Sequence, residues 1–543
     1  MTDLSCLPYG VAHNAEGVCL QVRMGPHRIL LDCGAVGEAM LDWAEETQPP
    51  ADWVLCSHAH ADHARGLLEF HRQFPQVPIY GSEVTAHLLP LNWPDQAEAD
   101  FCHALPWRTP VEFAEGLSVQ LWPAGHLPGA AAFLLSYATP QRTYTLFYTG
   151  DFFLSNSRLV EGMALDDLRG LKPDVLILEG SYGAVRYPHR RQQENQLAAS
   201  INQFLTANYA VLLPVPTVGL GQELLMLLRS HHHFTGRNIN VWVDTTVAAG
   251  CDAYLELLPH FPGSVQNFAR YQPLFWDERV LPRVRRLGAD ELPDLSVPSI
   301  VVAHRNSNLS RYWQQRDRRW VTFIPETAPW DIAAAKSDLP DADRPSPRVE
   351  SYLLSSHCDR AGTTQFIHNL RPQHVVFVHG SFSNLTDLAN LEELQSRYHL
   401  HLPSAGTLVE LPIGELFLQP AAPETVHEGE LSETTDEVTV TLPLAITKDE
   451  RWQQLADTGL VEVRWQGDDL VLKGITQRSL LRRDASSLTQ LTIDCCATCA
   501  YFKEQRCWNQ ASALFRFEVS PAGYCPAFEP AAEYLDLSDQ GDE

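Results

Sequence analysis

The chain has 543 residues, 45% of them hydrophobic and 20% charged, the balance of a globular protein rather than of a disordered or fibrous one. That length exceeds what a single hydrophobic core usually serves, so a large catalytic unit with additions, or roughly two to four domains, is expected. The formal charge of -27, from 40 Lys and Arg against 67 Asp and Glu, disfavours loose whole-surface binding of nucleic acid, which relies on basic residues displacing counterions, but leaves room for a local site.

The start, MTDLSCLPYG, carries no basic stretch leading into an apolar one, and no uninterrupted apolar run reaches membrane-spanning length. A cytoplasmic protein without a membrane contact is the expectation. From Val18 to Leu31, VCLQVRMGPHRILL alternates and turns at Gly25-Pro26, which predicts a β-hairpin ending at Asp32-Cys33-Gly34. Strand-like runs follow at 53–56, 131–136, 143–148, 175–178, 210–213, 239–243, 299–302 and 374–378. Helical periodicity separates many of them, as in 192–207 and 221–230, so the fold class is layered α/β. Residues 419–446 carry six acidic side chains and no Lys or Arg, and their first part reads as a linker. Beyond it come a helix-strand-strand-helix pattern over 448–483, a cysteine cluster, and an acidic tail.

The densest chemistry is His58-Ala59-His60-Ala61-Asp62-His63, directly after the apolar run WVLC and Ser57. A lone histidine on an apolar flank is usually a satisfied core or surface residue. Here three histidines and an aspartate crowd an irregular loop at a strand end, where alternate side chains converge. The pattern is not the helical His-Glu-x-x-His arrangement. Four nitrogen and oxygen donors exceed what one catalytic zinc takes, because such an ion keeps three protein ligands and an open position, so two metals are implied.

The loop resembles the defining His-x-His-x-Asp-His of the metallo-β-lactamase superfamily, and further matches fall in order: LLDCG with Asp32, AGHLPGAA with His126, and FYTGD with Asp151. The resemblance implies an αββα sandwich in which His58, His60 and His126 hold one zinc, Asp62 and His63 the other, and Asp151 bridges them, with Asp32 orienting ligands from behind. Two such ions polarise a phosphoryl or ester oxygen and hold hydroxide at neutral pH, which means hydrolysis.

LEGSYG, VLLPVPTVGLGQELLMLL, SYLLSSHCDRAG and HVVFVHG are similar to motifs of the β-CASP branch, the nucleases that include RNase J and the endonuclease subunit of the mRNA 3′-end processing complex. Glu179 matches that branch's first acidic motif, His357 its second and His379 its third. A histidine at the last position favours RNA over DNA and would complete the second zinc site with Asp62, His63 and Asp151. His357 would be the general acid that protonates the departing ribose oxygen, with Glu179 positioning it. Single-stranded RNA is the partner so implied.

The same resemblance divides the chain into a metallo-β-lactamase domain (1–185, returning at 349–418) interrupted by a β-CASP cap (186–348), then a linker (419–437), a small α/β domain (438–486), a cysteine module (487–530) and a tail (531–543). The cap departs from the family's pattern. Leu220-Gly221 stands where Gly-Arg usually precedes Gln-Glu, HRNSNLSRYW replaces a Gly-rich loop, and VTFIPETAPWD replaces a Thr-Gly-Tyr-rich segment. These changes keep two alternatives in view: hydrolysis of a non-nucleic-acid ester or thioester, and a non-catalytic scaffold partnering an active nuclease. His189-Arg190-Arg191 reads as a solvated face, and His231-His232-His233 as an exposed helix end.

Twelve cysteines without a secretion signal read as reduced thiols or metal ligands. Cys496-x2-Cys499-x7-Cys507-x17-Cys525, with Cys495 adjacent, has spacings one metal centre could use. A zinc knuckle is one reading. An iron-sulfur centre is another, since the stretch resembles high-potential iron-sulfur proteins in Cys-x2-Cys-x-Tyr-Phe and Gly-Tyr-Cys-Pro, although with a shorter middle spacing. Buried unligated thiols are the third. The module would serve RNA contact, redox sensing, or assembly as a homo-oligomer or with a partner protein.

Overall fold

In the chain's computed structural model the described residues are 4–12, 17–34, 48–96, 100–315, 318–326 and 348–414, together with 430–433, 438–441, 461–466, 469–474, 499–503, 506–509 and 531. They belong to two compact units, which divide at Pro420 and Ala421. In the first unit the expected hairpin is present: Val18–Met24 pairs antiparallel with His27–Leu31, its alternating apolar side chains turned inward. Leu4–Val11 pairs antiparallel on its other side, and Trp53–Leu55, Ile79–Gly81 and Cys102–Ala104 extend the sheet in parallel. Val409–Glu410 closes the far edge.

A second seven-stranded sheet runs in the order His399–His401, His374–Val378, Val175–Glu179, Thr143–Tyr148, Ala131–Ala138, Leu117–Pro123 and Val111–Ala114. Its central strands VLILE and HVVFV are buried at every position, as strands covered on both faces must be. Leu20, Val22, Ile29 and Leu55 of the first sheet meet Phe133, Leu135, Leu146, Ile177 and Val376 of the second in one core. The opposite faces carry helices, which makes the αββα sandwich.

The third sheet has six strands, ordered Arg283–Arg286, Asn240–Val243, Ser299–His304, Tyr209–Val215, Arg319–Pro325 and Arg348–Tyr352, all parallel. The last strand straddles the division expected at residue 348. Parallel strands need long crossovers. Among the connecting helices are α1 (Arg190–Thr206), which leads into Tyr209–Val215, and α2 (Leu220–Ser230), which leaves it.

Two expectations about polar clusters are corrected. Arg190 is not on a solvated face: it is 8% exposed and lies 3.3 Å from Glu223 and 3.6 Å from Glu194. His231 ends α2 but is buried, its Nε2 3.1 Å from Asn195 Oδ1. Local charge suggested solvent, yet both side chains are buried and find partners on other elements, Glu223 for Arg190 and Asn195 for His231.

In the second unit, Glu430–Glu433 pairs antiparallel with Val438–Thr441, so part of the expected linker is a strand. The run of acidic residues masked a β-capable segment there. Val461–Gln466 pairs with Asp469–Gly474, and the helices expected on either side lie outside the described residues. Phe502–Lys503 pairs with Arg506–Cys507, with Cys499 just before this hairpin and Cys507 buried at its end. Cys496 and Cys525 lie outside the described residues. All described cysteines are free thiols, and among the described residues no helix is long and apolar enough to cross a membrane.

Phe133 is fully buried between the two sheets of the sandwich. Phe133→Ala removes a ring that nothing nearby can replace and should cost about 3–5 kcal/mol, read as a lowered midpoint in urea unfolding.

Candidate metal centre

Every side chain of the centre leaves the same edge of the sandwich, where strands end and the backbone is free to turn. Asp32 follows His27–Leu31, the His58 to His63 loop follows Trp53–Leu55, and His126 lies between Leu117–Pro123 and Ala131–Ala138. Asp151 follows Thr143–Tyr148, Glu179 closes Val175–Glu179, and His379 follows His374–Val378. The carboxyl ends of parallel strands are the usual place for a site in such sheets. Asp32 and His379 have φ of 57° and 51°, backbone that non-glycine residues rarely adopt outside functional positions. Gly150, before Asp151, has no room for a side chain, because a Cβ there would lie 2.6 Å from that of Ser57.

Three bare imidazole nitrogens face one another. His60 Nδ1 lies 3.2 Å from His58 Nε2 and 3.1 Å from His126 Nε2, while Asp151 Oδ2 lies 3.5 and 3.6 Å from the latter two. Ligands at about 2.0–2.1 Å around a tetrahedral ion are separated by roughly 3.3 Å, so these four atoms stand at the corners such an ion needs. On the other side of the same carboxylate, Asp151 Oδ1 is 3.2 Å from His63 Nε2 and 3.6 Å from His379 Nδ1, and Asp62 Oδ2 is 3.3 Å from His379 Nε2. Asp62, His63 and His379 can each present a ligand atom within 4.8 Å of the others. His63 Nε2 and Asp151 Oδ1 are buried without a hydrogen-bond partner, a costly arrangement unless something else satisfies them.

Groups behind the histidines set which nitrogen is bare. Ser57 Oγ donates to Asp32 and accepts from His58 Nδ1, 3.0 Å away, which leaves His58 Nε2 for the centre. His63 Nδ1 donates to Asp32 Oδ2 at 2.7 Å, and His126 Nδ1 donates to the Ser356 carbonyl at 2.8 Å. His60 is reversed: its Nε2 faces the Val218 carbonyl at 3.3 Å, so Nδ1 points inward. Gly219, next in the chain, has φ 94° and no room for bulk, since a Cβ there would lie 3.3 Å from His60 Nε2. Asp32 also accepts from Tyr148 Oη at 2.6 Å and from the Ser57 amide at 2.6 Å.

Burial, reinforced by neighbouring histidines, holds the pKa values of His58 and His126 well below the imidazole range, and burial lowers that of His60 too. Neutral imidazole is the form that ligates metal. Burial acts against charge on His63 as well, but Asp151 and Asp32 outweigh it and draw positive charge to that place. Asp151 is 2% exposed, yet His379, His63 and His357 keep it ionised against the effect of burial. A cation between these groups supplies the charge they call for, so the donor set fits a dinuclear metal site.

Beside it, His357 Nδ1 is 2.8 Å from Glu179 Oε1 and 3.9 Å from Asp151 Oδ2. Glu179 Oε1 also accepts from the Phe152 amide, and Glu179 Oε2 accepts from Ser181 Oγ at 2.5 Å. Ser181 Oγ lies 2.8 Å from His379 Nδ1 as well. The sequence reading passed over this serine. Its signal was weak: one hydroxyl in LEGSYG, two residues past the acid it supports. Val218 and Ser356 were also missed, because a backbone carbonyl leaves no mark in composition. Of the remaining candidates, Cys499 and Cys507 lie in the other unit.

Histidines and aspartates gathered at a sandwich edge around two cation positions define a metallohydrolase site. Residues 27–203 match the family described as Beta-lactamase superfamily domain, and residues 346–403 match the Zn-dependent metallo-hydrolase RNA specificity domain. The chain is 48% identical to "Uncharacterized protein sll0514" of Synechocystis sp., over 98% of this chain and 97% of that one. It is 30% identical to "Probable RNase MJ4" of Methanocaldococcus jannaschii, over 41% of this chain and 56% of that one. It is 22% identical to "Integrator complex subunit 11" of Gallus gallus, over 80% and 78% respectively. The chain belongs to the metallo-β-lactamase superfamily, in its β-CASP branch.

Asp32→Ala should orphan the buried donors of Ser57, His63 and Tyr148 together. At about 1–3 kcal/mol for each unsatisfied group, the metal-free protein should lose at least 3 kcal/mol in denaturant unfolding.

Proposed function

We propose that this protein is a two-zinc ribonuclease that hydrolyses phosphodiester bonds of single-stranded RNA, with His357 as general acid. The observation that carries the reading is the His357–Glu179 pair, its carboxylate 2% and its imidazole 16% exposed, set against the Asp151 carboxylate, within 3.9 Å of it. The match to an RNA specificity domain and the names of the relatives support RNA as the substrate. In this reading His58, His60, His126 and Asp151 hold one zinc, and Asp62, His63, His379 and Asp151 the other. Zinc ions bound there would polarise the phosphoryl oxygen and make an attacking water acidic enough to act at neutral pH.

The protein's own groups do the rest. Glu179 fixes His357 through Nδ1, leaving Nε2 to meet the departing ribose oxygen, and an alkoxide needs such a proton to leave. Ser181 steadies the carboxylate from its other oxygen. Asp32 keeps His63 turned inward. The cap, residues 186–348, would close over the strand being cut, and its Val218 carbonyl orients His60. The four-cysteine module, with Cys496, Cys499, Cys507 and Cys525, would hold a further zinc or an iron-sulfur cluster, which metal analysis and visible absorbance distinguish.

The test incubates zinc-loaded protein with labelled single-stranded RNA, single-stranded DNA and a small phosphodiester, alongside Asp62→Ala and His357→Ala. RNA cleavage that falls by at least 100-fold in both variants is the expected result, matching the 10²–10⁴-fold typical of general acid catalysis. Turnover of the small ester without RNA cleavage would move the assignment to another ester, and no turnover at all would leave a scaffold.

The pH dependence follows from the pair. Burial works against a charged His357, but Glu179 and then Asp151 outweigh it and raise its pKa to about 9. A raised pKa keeps the acid protonated below that value and lost above it, and zinc on Asp151 would offset part of the rise, so activity should have an alkaline limb that falls at or below about 9. Glu179→Gln removes the largest of the raising charges and should move that alkaline limb to lower pH in a profile of kcat. An unmoved limb would sink the assignment of His357 as the acid.

A further inference from the structure

Away from the metal centre, a cavity of ≈ 470 Å³ opens where the sandwich meets the cap. That is within the range of about 300–1,000 Å³ found for small-molecule sites. Its walls come from three places: Arg158 in the loop after Asp151, Arg190, Arg191 and Glu194 at the start of α1, and His231 and His232 at the end of α2. Gly219, just before α2, faces His60, and the helix spans 11 residues. At 1.5 Å per residue α2 therefore carries its far end, at His231, about 16 Å along the helix axis from Gly219.

The charge of the walls runs against that of the chain. Three guanidinium groups face one carboxylate in a protein whose formal charge is -27. Arg158 Nη2 is committed to Glu194 at 2.6 Å, and Arg190 Nη2 to Glu223, behind the wall, at 3.3 Å. Even counting Glu223, one positive charge is left over. It belongs to Arg191, which is exposed and makes no ion pair or hydrogen bond with the described residues. Beside it stands the exposed ring of His232. His231 adds no charge, since burial and the two neighbouring histidines lower its pKa to about 4. Its ring nitrogens already face Asn195 Oδ1 and the His233 amide, at 3.1 and 3.3 Å, which argues against a metal at this histidine triplet.

The cavity wall is also tied to the catalytic segment. Arg190 Nη1 donates to the Ser355 carbonyl, and Gln193, one turn along α1, accepts from the Ser355 amide at 2.7 Å. The next carbonyl, that of Ser356, accepts from His126, and the next residue is His357.

We propose that this cavity is a binding site for a terminal phosphate group, held by the free Arg191 guanidinium with His232, and that the segment Ser355 to His357 registers its occupancy through Arg190. A phosphate monoester carries close to two negative charges and three acceptor oxygens, which suit a guanidinium fork with no other partner. Two sources share that chemistry, a free nucleoside monophosphate and the 5′-phosphate of a nucleic acid strand.

Binding is measured without turnover, so the outcome is independent of the ribonuclease reading. Full-length, metal-loaded protein is titrated calorimetrically with AMP, and with 5′-phosphorylated and 5′-hydroxyl RNA oligonucleotides in an Asp62→Ala background. Each titration is repeated with Arg191→Ala and His232→Ala, both exposed positions whose fold is checked by circular dichroism. The expected result is a binding event weakened about tenfold or more by Arg191→Ala, the scale of one charge-assisted hydrogen bond. It should be accompanied by slowed amide exchange at Ser355 to His357 that the variant lacks. Dependence on Arg191 with AMP points to a free nucleotide, and dependence only in the phosphorylated oligonucleotide points to a strand end. If neither ligand distinguishes wild type from Arg191→Ala and His232→Ala, the proposal is overturned.

Discussion

The carboxylate of Asp151 sits 2% exposed among histidines, one oxygen turned toward His58 and His126 and the other toward His63 and His379. A carboxylate removed from water is expensive unless positive charge or hydrogen bonds surround it. Here hydrogen bonds do not, since Oδ1 has no such partner. The position is tenable because cations belong on both sides of it, and the surrounding architecture serves that arrangement. Two sheets bring strand ends to one edge, tight backbone turns aim the side chains inward, and the glycine before Asp151 lets the loop press against Ser57.

Holding ligands near a metal requires each imidazole to show the correct nitrogen. The acceptors that decide this come from widely separated parts of the chain: Asp32 and Ser57 from the first sheet, Val218 from the cap, and Ser356 from the segment returning from it. The cap thus contributes one carbonyl contact and the segment after it another, both to histidines of the sandwich. Cap placement and ligand orientation are coupled through these bonds. Glu179 and Ser181 add a second link, from His357 to His379, across the same edge.

Much of this was legible in one dimension. The hairpin at Val18 to Leu31 and the buried runs VLILE and HVVFV stood out because the period of a strand and the apolarity of a covered one are written residue by residue. The histidine loop stood out because four donors in six positions have few other uses. Arg190 and His231 misled, since a charged or polar triplet looks solvated when its partners, Glu223 and Asn195, are thirty-odd residues away. The acidic stretch misled in the same way: Glu430–Glu433 pairs with Val438–Thr441 despite its charge. Ser181 went unnoticed because its importance lies in lying within reach of both Glu179, two residues before it, and His379, 198 residues after it.

The amino-acid sequence by itself determined most of the element types, the family and the candidate donors, because strand periodicity and ligand chemistry are properties of short segments. Only the tertiary structure decided which nitrogen each histidine presents, that Asp151 faces both groups of ligands, and that a net positive cavity forms beside the cap of an acidic protein. Those outcomes depend on distances between residues far apart in the chain, and such distances exist only once the sheets and the cap have packed.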